Sequence, residues 1–64
     1  MKVDANKLFA LCADKGYRLK DLAAAAGVKY ATLQAIKKGK IIRVDTLGKL
    51  ARALDVKSIE LLEG

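Results

Sequence analysis

The sequence predicts an all-α fold of four clear helices and a short fifth, and three observations carry that reading. Apolar residues recur at helical spacing, i, i+3, i+4 and i+7, and not in alternation. Gly16, Gly27 and Gly39 each follow a helix-like stretch, where glycine most readily takes the left-handed conformation that ends a helix. Proline is absent, and no Val/Ile/Thr-rich alternating run offers a strand.

The first helix begins near Asp4, a suitable N-cap, and sets Leu8, Leu11, Cys12 and Lys15 at helical spacing before Gly16. The second, from about Arg18 to Ala26, aligns Leu19, Leu22, Ala23 and Ala26 in one buried stripe. The third covers about Tyr30 to Lys38, with Leu33 and Ile36 facing inward. In the fourth, Val44, Leu47, Leu50, Ala51 and Leu54 form a continuous apolar face, Asp45 complements the N-terminal dipole, and Lys49 and Arg52 occupy the other face. A last helix, about Ser58 to Glu63, is expected to bring Ile59, Leu61 and Leu62 under the core.

A chain of 64 residues accommodates one compact domain, 1–64, which buries roughly 60% of the surface that the unfolded chain exposes. Phe9, Tyr17 and Tyr30 are the only aromatic residues, so the core is expected to consist of Leu, Ile, Val and Ala. Cys12 is the single cysteine, which excludes an internal disulfide and a thiolate zinc cluster and makes a reduced, cytoplasmic setting the expectation. The start Met1-Lys2-Val3-Asp4 lacks the pattern of a signal peptide, and the apolar stretches are too short to span a membrane.

Catalysis finds little support. There is no histidine, and Cys12 has no imidazole to activate it. Gly39-Lys40 fails as a phosphate loop because Gln34 stands where such a loop needs its first glycine. Asp55, Glu60 and Glu63 read as surface charges. The chain is therefore expected to be no enzyme and to need no metal, cofactor or small-molecule ligand.

Net charge is +6, and it is concentrated: residues 18–43 hold seven basic side chains against the lone acid Asp21. From Lys29 to Arg43 there are five basic residues and no acid. Such a segment reads as a surface for a polyanion, with a merely solvated loop at Lys37-Lys38-x-Lys40 as the bland alternative. Its setting favours the first reading. Two short helices joined through Gly27-Val28-Lys29 leave too few loop residues for a hairpin with its own core, so they should cross steeply over a small alanine contact. In that helix-turn-helix, at about 18–38, Ala23 admits the second helix, Gly27 turns the chain, Val28 plugs the corner, and Leu33 and Ile36 anchor the second helix.

The residues Asp21-Leu22-Ala23, Ala26-Gly27-Val28, Thr32-Leu33-x-x-Ile36, Lys38-Gly39-Lys40, Asp45-Thr46-Leu47-x-x-Leu50-Ala51-x-x-Leu54-x-Val56 and Leu61-Leu62 are jointly specific. In that order and spacing the chain resembles the Cro and lambda-repressor-like (XRE) helix-turn-helix proteins, from about Leu8 to Leu62. The resemblance implies a five-helix lambda-repressor-like domain that binds double-stranded DNA and regulates transcription, and the lack of an acidic activation surface makes repression the expected direction. It implies that the third helix lies in the major groove, with Tyr30, Ala31 and Thr32 toward bases and Gln34 and Ala35 one turn on. It further implies phosphate contacts from helix termini, with Lys29, Arg43, Lys37, Lys38, Lys40, Arg18 and Lys20 as the candidates.

Three positions depart from the family pattern: Leu19 where a phosphate-contacting Gln is usual, Lys37 where Glu is common, and Asp55 where Gly usually follows the fourth helix. Ile41 and Ile42 put two branched apolar residues in a connecting loop. The resembled family can use this loop for a two-fold contact, which makes a weak homodimer on an inverted repeat the expected assembly. A protein-interaction module, such as an antitoxin or adaptor on the same fold, is the alternative reading. A basic membrane-surface peptide is a weaker one, because its apolar faces are needed for a core.

Overall fold

In the computed structural model, which describes residues 2–63, local sequence rules produce four α-helices: α1 (Ala5–Lys15), α2 (Leu19–Ala26), α3 (Tyr30–Lys37) and α4 (Val44–Leu54). Each begins within about a residue of where the apolar period places it. Asp4 caps α1 as expected, its carboxylate accepting from the backbone N–H of Asn6 at 3.0 Å and of Lys7 at 3.2 Å.

All four helices end alike. The N–H groups of Tyr17, Val28, Lys40 and Val56 reach back to the carbonyls of Cys12, Ala23, Ala35 and Ala51, closing the last turns. This closure needs a left-handed residue, and the fourth helix uses Asp55, at φ 57° and ψ 44°, for a conformation that glycine adopts at no steric cost. Asp55→Gly is therefore expected to stabilise the fold by about 0.5–1 kcal/mol after allowing for the extra freedom of glycine in the unfolded chain. Thermal melts should register a rise of about 2–8 °C.

Where a fifth helix was expected, the chain makes a 3-10 turn, Ser58–Leu61, and then extends: Leu62 has φ −84° and ψ 148°. The reason is tertiary. Leu62 forms an antiparallel bridge with Val3, the Asp4 N–H donates to the Leu61 carbonyl at 2.8 Å, and the Glu63 N–H donates to the Lys2 carbonyl at 3.2 Å. A helix continued to Glu63 would withdraw those backbone groups from the N-terminal strip and uncover Val3, which is buried. Leu61 enters the core and Leu62 packs at its edge, but Ile59 is 70% exposed, contrary to expectation. Val44 is also 70% exposed, so the inner face of α4 begins only at Leu47 and continues through Leu50, Ala51 and Leu54.

The core gathers Leu8, Leu22, Leu33, Ile36, Leu50 and Leu61 as its largest fully buried side chains, and among the described residues it contains no buried polar group. α4 packs against α1, α2 and the 3-10 turn, whereas α3 is held chiefly by α2. That leaves one side of α3, with Tyr30, Ala31, Gln34 and Lys37, exposed. Cys12 is a buried core residue, and burial pushes its thiol pKa up. No helix among the described residues is long and apolar enough to cross a membrane.

Candidate nucleic-acid interface

The site is built on the α2–turn–α3 unit. At Gly27, φ 70° lets the chain reverse, and the Val28 N–H bonds the Ala23 carbonyl at 3.0 Å while the Val28 side chain packs on the core. Ala23, only 6% exposed, is the small contact beneath. Leu33 and Ile36, at 0% and 1% exposure, fix the rotation of α3 about its axis. With 100° between successive residues, the surface opposite them carries Ala31, Gln34, Ala35 and Lys38, flanked by Tyr30.

Exposure sorts the five base-facing candidates. Tyr30, Ala31 and Gln34 are open to solvent, and Thr32 and Ala35 are half-buried at the edges of the same surface. An α-helix with its side chains is about 10–12 Å across, commensurate with a major groove about 12 Å wide.

Electrostatics separate α3 from its neighbours. Arg18, Lys29 and Arg43 are the N-cap residues of α2, α3 and α4, and none supplies a side-chain oxygen to the first-turn N–H groups. A cation at a helix N-terminus opposes the local dipole and is mildly unfavourable. Two of the three are partly offset. The Arg18 N–H donates to Asp21 Oδ2 at 2.9 Å, with the guanidinium 3.9 Å from the same oxygen, and Arg43 Nε lies 3.5 Å from Asp45 Oδ1. Both pairs are exposed, so they add little to stability and are readily exchanged for another anion. Lys29 has no such partner among the described residues, and the first turn of α3 contains no acid. The positive end of α3 therefore carries Lys29 with no acid in the first turn to offset it.

The remaining candidates fall into three groups. Lys38 and Lys40 lie just beyond α3 on either side of Gly39, exposed and without a carboxylate partner among the described residues, and Lys20 is exposed on the first turn of α2. Lys37 turns to the flank of α3, toward α1, where it lines a groove with Phe9, Tyr17 and Leu19. Two of the departures from the family pattern, Leu19 and Lys37, therefore meet in one groove, which their separation in sequence did not announce. Lys49 and Arg52 were unassigned by the sequence reading and flank an alanine-floored cleft with Ala25, Ala26 and Ala53. Only their shared face on α4 hinted at it.

The loop pair divides. Ile41 is 74% exposed, but Ile42 is 7% exposed and belongs to the core, which corrects its assignment as a dimer contact: its side chain is enclosed by its own chain. Ile42→Asp would bury an unpaired carboxylate and is expected to unfold the domain, whereas Ile41→Asp should leave the circular dichroism spectrum and melting temperature nearly unchanged.

A small all-α domain that presents the outer side of α3 among cations on a helix-turn-helix is, as a class, a helix-turn-helix DNA-binding domain. The family of Cro/C1-type HTH DNA-binding domains matches residues 7–63, nearly the whole chain, and the protein belongs to it. No match was found among curated proteins.

Proposed function

We propose that the chain is a sequence-specific transcriptional regulator, acting as a repressor, that inserts α3 into the major groove of an operator. The observation carrying this reading is the contrast within α3: an inner side buried to 0–1% exposure, an outer side open, and a positive end bare of carboxylates. Gln34 is suited to a bidentate contact with adenine, Thr32 to either hydrogen-bonding partner or a thymine methyl, and Ala31 and Ala35 to the methyl alone. Tyr30 adds an exposed ring at the entry of the helix. Lys29, Lys38, Lys40, Arg18, Lys20 and Arg43 serve phosphates, with Lys37 at the margin. So few base-edge partners leave part of the specificity to DNA shape.

The protein binds as a weak homodimer with Ile41 in the two-fold contact, on half-sites about one helical turn, or roughly 34 Å, apart. Ile41→Asp should then convert dimer to monomer in sedimentation and weaken the inverted repeat more than a single half-site. Selection from a randomised duplex pool at two salt concentrations tests the whole reading. An enriched inverted repeat supports it, and Gln34→Ala should change the ranking of retained sequences. Absence of enrichment at either salt would turn the assignment to a protein-binding module.

A further inference from the structure

Between α1 and the flank of α3 lies an open groove of about 240 Å³, lined by Phe9, Cys12, Ala13, Tyr17, Leu19 and Lys37. Two of the three aromatic residues in the chain stand here, and Phe9, Tyr17 and Leu19 each turn one side to the core and leave the other uncovered. Lys37 is the only charged side chain on the lining, no carboxylate lines the groove, and its ammonium has no ion-pair partner among the described residues. An apolar lining with a polar group is the composition of small-molecule sites, and at about 240 Å³ this open groove is smaller than the roughly 300–1,000 Å³ typical of them, which restricts it to a small ligand.

We propose that this groove binds a small apolar carboxylate, with the alkyl or aryl portion on Phe9, Tyr17 and Leu19 and the carboxylate on Lys37. Charge selects the class: an anion meets one cation and no like charge, a cation meets repulsion, and a neutral apolar molecule gains nothing from the hydrated ammonium. Volume selects the size. At roughly 30 Å³ for each water-sized group, the space takes about eight such groups, so an eight-carbon chain fills it with its carboxylate oxygens at the open rim beside Lys37. A ligand seated there touches the DNA-facing helix through Lys37, an input that the sequence, read as needing no ligand, did not foresee.

The site is tested without DNA, by titrating the full isotope-labelled chain with octanoate and with 1-octanol and following backbone amides by NMR. Octanoate is expected to give saturable shifts confined to Phe9, Cys12, Ala13, Tyr17, Leu19 and Lys37. Lys37→Met should weaken octanoate about fivefold, the scale of an ion pair at an open rim, while 1-octanol changes less than about twofold. Ala13→Leu, at an exposed position on the lining, should fill the groove and weaken both ligands in a chain that still melts normally. Shifts that do not saturate, shifts spread over Lys20, Lys29, Lys38 and Lys40, or equal losses for both ligands in Lys37→Met would each overturn the proposal.

Discussion

Replacing Lys29, Lys38 and Lys40 together with alanine is expected to lower DNA affinity about 500-fold in 0.1 M salt, taking about 0.9 powers of salt concentration per neutralised phosphate. The slope of log affinity against log salt should become shallower by about 2.7 for the same reason. The fold should not respond. All three side chains are exposed and none holds a carboxylate among the described residues; the bonds these residues make, Thr32 N–H to the Lys29 carbonyl and Lys40 N–H to the Ala35 carbonyl among them, use backbone that alanine retains. Because phosphates are common to every sequence, weakening should be uniform across operators and non-specific DNA. Fluorescence anisotropy over a salt series decides it. An unchanged slope would move the phosphate contacts elsewhere, with the Lys49 and Arg52 cleft the first place to look.

Leu33→Ala should cost about 3–5 kcal/mol, the range for a leucine truncated in a core that cannot fully collapse. A domain of this length has a total stability on the order of 3–10 kcal/mol, so the variant is expected to be largely unfolded at physiological temperature. The effect is large because of position. Leu33 is fully buried, and α3 is held chiefly by α2, so few other contacts compensate for its loss. Leu33→Met, which keeps the volume, should cost less than about 1.5 kcal/mol. Urea denaturation of the two variants compares them, and similar midpoints would mean that α3 is seated by something other than this side chain.

Much of the fold was legible because its determinants are local. The spacing of Leu19, Leu22, Ala23 and Ala26 locates α2, the glycine at 27 ends it, and Leu33 and Ile36 fix which side of α3 is buried. Asp55 shows where locality stops. Its sequence neighbours gave no guide to the exit of α4, yet the structure keeps the left-handed turn at Asp55, because Val56 packs against the core only if the chain reverses there. Ile59 and Val44 were misjudged for a related reason: both sit at the first turn of a helical segment, where an apolar period cannot tell which residue is the first to reach the core.

The sequence by itself determined the four helices, the helix-turn-helix and the concentration of cations around it, since periodicity, capping and charge are properties of short stretches of chain. Only the tertiary structure decided that Ile42 is core and Ile41 surface, that the C-terminal segment leaves its helical path to pair with Val3, and that Leu19 and Lys37 face one groove. Each of these depends on which distant segment arrives at a given side chain. Burial of Val3, Ile42 and Leu61 in one shared core outweighs local propensity wherever the two conflict.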